Sequence, residues 1–170
     1  MPPDPANHEI ARLVRGAQQG DRAAFAELYR RFTRMVHGIV LARGAGTEVD
    51  DLVQDVFVTA LERLIDLREP AAFGGWLASI ARHRATDHSR KPTTETLVND
   101  VPSPTDPDRL EALAILNAIT LLPEAYSETL VLRLVEGMTG AEIAERTGLT
   151  PASVRVNLHR GMKLLREKLA

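Results

Sequence analysis

Apolar residues recur along this chain at intervals of three and four, which is the spacing of one face of an α-helix. The first of these segments begins at Ile10 and the last ends at Leu169. No segment alternates apolar and polar residues in the manner of a half-buried strand. The pattern therefore predicts an all-α protein in which each helix turns one apolar face toward a core.

The N-terminal half has four such segments, separated by glycines and capping residues. Gly20 can end the first helix and Asp21 can cap the second, while Thr47 can cap the third and Pro70 suits the first turn of the fourth. The predicted inward positions are Ile10, Leu13, Val14, Ala17, Phe25, Leu28, Tyr29, Phe32, Val36, Ile39, Val40, Leu52, Val53, Val56, Phe57, Ala60, Leu61, Leu64, Phe73, Trp76, Leu77, Ile80, Ala81 and Arg84.

Residues 91–107 contain four prolines and show no sustained period, which predicts a flexible linker. We therefore expect two small helical domains, at 1–90 and 108–170. In the second domain Pro107 and Pro123 each stand where a helix can begin. The predicted inward positions of these two helices are Leu110, Leu113, Ala114, Asn117, Tyr126, Leu130 and Leu134.

The end of the chain predicts a helix-turn-helix. Thr139 and Glu142 have the spacing of a capping box, and Gly148 permits a left-handed turn after a short helix. Thr150 and Pro151 then begin a last helix. Its predicted inward residues are few and widely spaced: Val154, Leu158, Leu165 and Leu169.

Charge is distributed unevenly along a chain of net charge −2. Residues 48–55 carry four acids and no base, whereas residues 82–91 and 155–168 are strongly basic. The composition of 44% apolar and 4% aromatic residues is that of an ordered helical protein, and no apolar run is long enough for a membrane span. The start Met-Pro-Pro-Asp-Pro lacks the basic and apolar parts of a secretion signal, so we expect a cytoplasmic protein.

A projecting basic helix after a tight turn is the arrangement that enters the major groove of DNA. The alternative, a solvated surface on an ordinary helical bundle, fits the same charges. A metal hydrolase site at His83, Asp87 and His88 is disfavoured, because that trio has no fourth ligand. We expect no metal and no cofactor.

Two motifs, in order, resemble the bacterial sigma factors of RNA polymerase. Residues 20–91, with DLVQDVF and FGGWLASIARHRATDHSRK, resemble region 2, and residues 122–169 resemble region 4. A chain with these two regions in this order, and no region 3 between them, resembles the extracytoplasmic function (ECF) branch of the family. The resemblance implies that the chain binds core polymerase, at its β′ coiled coil and β flap, and promoter DNA, and that an anti-sigma protein sequesters it. It also implies that the chain catalyses no reaction itself.

The resemblance also implies roles for individual residues. Those expected to bind core polymerase are Asp51, Leu52, Gln54, Asp55 and Phe57, with Leu52 and Phe57 anchoring the contact. Those expected at the minus-10 element are Trp76, Arg82, His83, Arg84, Asp87, His88, Arg90 and Lys91, although Trp76 also fits the core. Those expected at the minus-35 element are Thr150, Ser153, Arg155, Asn157, His159, Arg160 and Lys163.

The sequence departs from the family pattern at three places. His83 stands where many relatives have Asn, and Val156-Asn157 and Gly161-Met162 replace pairs that often include a cation. We therefore expect altered promoter preference. A stand-alone helix-turn-helix regulator is the competing function, but it leaves the DLVQDVF helix and the segment 76–91 without a role.

Overall fold

The computed structural model describes residues 4–90 and 106–170 and confirms the all-α fold over that part of the chain. The predicted linker falls mostly on residues 91–105, which lie outside the described residues. The described helices are α1 (Pro5–Gln18), α2 (Arg22–Ala42), α3 (Val49–Arg63), α4 (Phe73–Arg90), α5 (Pro107–Thr120), α6 (Glu124–Leu134), α7 (Gly140–Thr147) and α8 (Pro151–Leu169).

Helices α1–α4 form an N-terminal bundle whose ends follow local chemistry. The side chain of Asp21 accepts hydrogen bonds from the backbone N–H groups of Ala23 and Ala24, at 2.9 and 3.2 Å, and so caps α2 as predicted. Thr47 does not cap α3, because it lies inside a 3-10 turn that runs directly into the helix. The large side chains of the bundle meet in one core that includes Leu28, Met35 and Phe73.

Helices α5–α8 form the C-terminal unit, in which α7 and α8 are the predicted helix-turn-helix. Thr139 and Glu142 make the reciprocal capping box. Gly148 ends α7 with φ of 76°, a left-handed conformation that favours glycine. Thr150 then accepts a hydrogen bond from the N–H of Ser153 at 3.1 Å, with Pro151 in the first turn of α8. These caps fix where each helix of the motif starts and stops.

Some predicted inward positions are exposed. Helix α5 packs through Ala118 and Ile119 near its end, so Leu110 and Leu113 at its start face solvent. The predicted inward face of α5 is therefore wrong, because its contacts lie on a neighbouring face. The other predicted inward residues that are exposed are Tyr29, Leu61, Arg84, Leu134 and Leu169, and on α5 also Ala114 and Asn117.

The bundle and the C-terminal unit share a hydrophobic core. Leu132, Met138 and Ile143 of the C-terminal unit are fully buried and belong to the same cluster as the bundle's core residues. Helices α2 and α4 supply the bundle's side of this interface, and α6 and α7 supply the other. We call this contact surface the interdomain interface. It makes the described structure compact, although the sequence predicts two domains.

Glycines allow the backbones to approach closely across the interdomain interface. A Cβ added at Gly74 of α4 would lie 2.3 Å from the backbone oxygen of Arg146 in α7. A Cβ added at the next residue, Gly75, would lie 3.5 Å from the backbone oxygen of Thr147, an ordinary contact. Gly74 is therefore required by the packing of α4 on α7, whereas Gly75 tolerates a methyl group.

We expect Gly74→Ala to weaken the interdomain interface, because the new methyl group meets backbone and not a flexible side chain. Gly75→Ala is the matched control; in a helix it should be neutral or stabilising by up to about 1 kcal/mol. In thermal unfolding, Gly74→Ala should have a lower Tm than the wild type, and Gly75→Ala should not. Equal Tm values for the two variants would contradict the close packing described.

Candidate nucleic-acid interface

Helix α3 carries the acidic residues of the DLVQDVF motif on its exposed side. Asp51, Gln54 and Asp55 are all exposed. Asp51 and Asp55 are one helical turn apart and so project from the same face. Asp51 also lies in the first turn, where a negative charge is favourable beside the helix dipole. These three side chains are accessible to a basic partner.

The two apolar residues expected to anchor that contact are instead part of the core. Leu52 and Phe57 are 6% and 3% exposed, and the ring of Phe57 packs 4.4 Å from that of Tyr29. Their burial agrees with their predicted inward positions and holds α3 in the bundle, while their role in binding core polymerase stays a prediction. The exposed large apolar side chains of α3 are Val58 and Leu61, of which Leu61 was expected to face inward.

A groove of about 570 Å³ runs along the outward face of α4. It brings together four of the residues expected at the minus-10 element: Trp76, His83, Arg84 and Asp87. Trp76 is partly buried and packs against the core, with its ring 5.9 Å from that of Phe73. The groove therefore has an aromatic wall together with polar and charged groups, which is the chemistry that holds an unstacked base.

A residue of α3 fixes one wall of this groove. The guanidinium of Arg84 donates a hydrogen bond to the hydroxyl of Thr59 at 2.7 Å, and that hydroxyl donates to the backbone oxygen of Asp55 at 2.8 Å. Thr59 is 8% exposed and was not identified from the sequence. The sequence signal that could have identified it is a polar residue on the predicted inward face of α3.

Of the other residues expected at the minus-10 element, His88 and Arg82 do not line the groove. His88 pairs with Glu48, which precedes α3. Arg90 ends α4, and Lys91 is outside the described residues. Arg82 points in a different direction, into the interdomain interface.

There Arg82 binds Glu128 of α6 through two hydrogen bonds. Its Nε and Nη2 atoms donate to the two carboxylate oxygens of Glu128, at 2.9 and 2.7 Å. Arg43, at the end of α2, donates a third bond from Nη1 at 2.9 Å. Glu128 is 5% exposed, so its charge is buried between two guanidinium groups. Neither Arg43 nor Glu128 belongs to a motif that the sequence reveals, so this cluster was not predicted.

The electrostatics of this cluster favour the ionised carboxylate. Burial by itself would raise the pKa of Glu128, but the hydrogen bonds and charge of Arg82, and then those of Arg43, outweigh it and lower the pKa. The same contact raises the pKa of Arg82. All three groups are therefore charged at neutral pH, with a net charge of +1 for the cluster.

The outward face of α8 is basic and open to solvent. Arg155, His159, Arg160 and Lys163 are exposed, as expected for side chains that reach DNA. Thr150 and Ser153 are exposed as well, although the Thr150 hydroxyl is engaged in capping α8. Arg155, Arg160 and Lys163 therefore lie on the exposed face of the second helix of the motif, the helix that enters the groove in helix-turn-helix proteins.

Asn157 and Gly161, by contrast, turn toward α6. The amide of Asn157 lies 3.4 Å from the hydroxyl of Thr129, and Gly161 is buried where a Cβ would come within 3.1 Å of Leu130. Met162 is partly buried and packs in a cluster that includes Ile119, Leu130 and Leu165. Asn157, Gly161 and Met162 therefore serve the packing of α8, whereas Val156 is exposed and His83 lines the α4 groove.

The described residues contain no cluster of His, Cys, Asp and Glu that could hold a metal ion. His83 and Asp87 line the groove, whereas His88 is paired elsewhere. Within residues 4–90 and 106–170, no helix is long and apolar enough to cross a membrane.

A helical bundle followed by a helix-turn-helix unit is the domain order of a two-domain sigma factor, and comparison with known proteins gives the same class. The sigma-70 region 2 family matches residues 28–94, and the family described as sigma-70, region 4 matches residues 112–165. CarQ, an RNA polymerase sigma factor of Myxococcus xanthus, is 31% identical over 164 residues, covering 89% of this chain and 92% of CarQ.

Two further relatives agree. The ECF RNA polymerase sigma factor BldN of Streptomyces coelicolor is 29% identical over 95% of this chain, which spans 66% of BldN. The structure of CnrH in complex with the cytosolic domain of CnrY superposes with a TM-score of 0.67 at 26% identity, covering 95% of this chain and 97% of CnrH. The chain belongs to the sigma-70 family of RNA polymerase sigma factors, in its ECF branch.

The buried carboxylate gives a pH dependence of defined sign. Because the pKa of Glu128 is lower in the folded chain than its ordinary 4.5, the stability it contributes is present above pH 4.5 and is lost as the pH falls through the folded pKa. We expect Glu128→Gln to cost roughly 3 kcal/mol at pH 7. Urea unfolding should show that this difference from the wild type shrinks toward pH 3.

Comparing the two proteins isolates Glu128, since other carboxyl groups with lowered pKa values, such as Glu9 and Glu27, are common to both. A difference in unfolding free energy that stays constant from pH 7 to pH 3 would contradict an ionised, buried Glu128.

Proposed function

We propose that this chain gives core RNA polymerase its promoter specificity: it binds core, recognises the minus-10 and minus-35 elements, and promotes strand opening. The observation that carries the proposal is the pairing of a groove on α4, lined by an aromatic ring and charged side chains, with an exposed basic helix α8 in one chain that belongs to the sigma-70 family. The chain itself catalyses no reaction, since the polymerase makes the RNA, and it acts in the cytoplasm beside that enzyme.

Core polymerase binds at the exposed face of α3. Asp51, Gln54 and Asp55 supply charge and hydrogen bonds to a basic partner surface, and Val58 and Leu61 supply apolar area next to them. Leu52 and Phe57 contribute indirectly, since their burial fixes the orientation of α3. This is the surface for the β′ coiled coil, while the C-terminal unit meets the β flap.

Minus-10 recognition takes place in the α4 groove. An unstacked base of the opened strand stacks on Trp76, and His83, Arg84 and Asp87 offer donors and acceptors to its edge. Arg82, Arg90 and Lys91 neutralise neighbouring phosphates, and His88 offers a hydrogen-bonding ring beside them. Because Thr59 holds Arg84 in place, it sets the shape of the pocket.

Minus-35 recognition uses the first turns of α8. Arg155 is exposed near the N-terminal end of the helix, where a recognition helix meets base edges, with Thr150 and Ser153 before it. His159, Arg160 and Lys163 lie further along and contact phosphate. Because Asn157 faces Thr129, we expect it to contribute little to base readout and the minus-35 preference to be altered or weakened.

The two units must separate to act together. The promoter elements are about 25 base pairs apart, roughly 85 Å of duplex at 3.4 Å per base pair. In the described structure the bundle and the C-terminal unit are in direct contact. The connecting residues 91–106 can span about 55 Å when extended. Opening of the interdomain interface is therefore part of the function.

A protein that inhibits the chain, an anti-sigma factor, is a further partner that we propose. CnrH was solved with the cytosolic domain of CnrY, and this chain superposes on CnrH over nearly its full length. A partner that holds the two units together would stop both promoter elements from being read. The competing function, a stand-alone helix-turn-helix regulator, leaves the accessible acidic face of α3 unused.

Transcription from purified components tests the proposal. We expect core polymerase with this chain to start transcripts from a genomic DNA library at sites that share two elements, and core alone to start none of them. Asp55→Arg should reduce core binding at least tenfold in a pull-down, whereas Asp66→Arg, on an exposed acid beyond the helix, should not. Absence of any transcript from the library would overturn the proposal.

Arg155→Ala tests the minus-35 assignment. We expect this variant to lose roughly 1–3 kcal/mol of the binding free energy that discriminates between bases at one base pair of the minus-35 element. Selection of the base at that position should therefore be relaxed. Arg166→Ala, on an exposed cation at the far end of α8, is the control and should leave selection unchanged. Start sites and element sequences from the same library measure both, and identical elements for wild type and Arg155→Ala would refute the assignment.

A further inference from the structure

The cluster at the interdomain interface has the composition of an anion site occupied by the chain's own carboxylate. Arg82 binds Glu128 through two parallel bonds, the fork geometry that arginine also uses with phosphate. Arg43 adds a bond from a different helix. Two guanidinium groups of the bundle therefore converge on a single anion supplied by the C-terminal unit.

We propose that Glu128 is an internal mimic of a DNA phosphate. In the closed chain it occupies a two-arginine site formed by Arg43 and Arg82, and when the interdomain interface opens a backbone phosphate of promoter DNA takes its place. The inference rests on the proposed function, because it assigns this site to the DNA that the chain opens. Closure and DNA binding at the bundle then exclude each other.

Two features indicate that the closed arrangement leaves this site available for exchange. The Nε atom of Arg43 is buried and, among the described residues, finds no hydrogen-bond partner, so one donor of the site is unused. A cavity of about 260 Å³ also lies beside Arg43, between Gly44 and Thr86 of the bundle and Glu124 of α6. The interface is therefore less tightly packed here than at Gly74.

The neighbouring contacts show why Glu128 and no other acid fills this role. Glu124, one turn earlier on α6, reaches Arg43 only at 3.5 Å and its side chain is 76% exposed. An exposed pair of that kind contributes little. Ser127 donates a buried hydrogen bond to the backbone oxygen of Ala42, which holds the first turns of α6 against the end of α2. Glu128 alone is both buried and bound to two arginines.

The test compares three single variants of the full chain without polymerase. Small-angle X-ray scattering gives the radius of gyration, and fluorescence anisotropy gives the affinity for a fluorescein-labelled, partly single-stranded oligonucleotide at fixed ionic strength. We expect Glu128→Gln to enlarge the radius and to bind DNA about a hundredfold more tightly, as for a chain otherwise about 99% closed. Glu124→Gln, the matched control, should change neither quantity.

Arg82→Gln separates a phosphate site from simple opening. It should enlarge the radius as Glu128→Gln does, but it should bind DNA no more tightly than the wild type, because it removes a ligand of the phosphate. Equal tightening by Arg82→Gln and Glu128→Gln would overturn the site. So would an open Glu128→Gln chain with unchanged DNA affinity, the result expected if the arginines serve only a protein partner.

A disulfide clamp tests whether closure excludes DNA even if Glu128→Gln fails to fold. The chain has no cysteine, and an ideal Cβ at Gly38 lies 3.0 Å from Cγ of Glu136 across the interface. It also lies 2.6 Å from Cδ2 of Leu132, a side-chain end that must shift to admit the cysteine, so the oxidised form is compared with the reduced form of the same variant. We expect the oxidised double variant Gly38→Cys, Glu136→Cys to bind the oligonucleotide at least tenfold more weakly than its reduced form. Equal affinities would refute the proposal. Failure here leaves the transcription test untouched, since these assays contain no polymerase.

Discussion

The contact between the bundle and the C-terminal unit depends on one buried carboxylate between two arginines. Glu128 brings a charge into this interface, and among the described side chains Arg43 and Arg82 compensate the cost of removing it from water. A buried ion pair of this kind adds little net stability compared with apolar packing, but losing one partner is costly. The stability of the interface therefore depends on this cluster. The interface is closed when all three charged groups bind one another, and it is strongly weakened when one of them binds another partner.

Apolar packing alone does not make the interface conditional in this way. Leu132, Met138 and Ile143 are buried against the bundle, and the glycines of α2 and α4 let the backbones approach. Such contacts favour closure whatever the ligand. The arginines are different, because the same guanidinium groups have an alternative anion whenever nucleic acid is present. Packing thus sets how strongly the chain closes, and the charge cluster couples that closure to DNA.

Most of the fold could be predicted from the sequence because its signals are local. The capping box at Thr139 and Glu142, the left-handed Gly148 and the start of α8 at Thr150 each depend on neighbours a few residues away. The face of α5 was predicted wrongly because that helix touches its neighbours only near its end, so its apolar period does not report a full contact. Burial of Leu52 and Phe57 follows from the same helical period that placed the acids outside.

The interdomain interface could not be predicted in this way, because its partners are far apart in the sequence. Arg43 and Glu128 are 85 residues apart, and no local pattern in the sequence links them. The sequence around Gly74 likewise does not indicate that the backbone of Arg146 packs against it and leaves no room for a side chain. A charged residue predicted to serve DNA, Arg82, is instead held by the chain itself. The basic charge of a helix therefore identifies groups suited to phosphate, and only the tertiary structure shows which of them are already occupied.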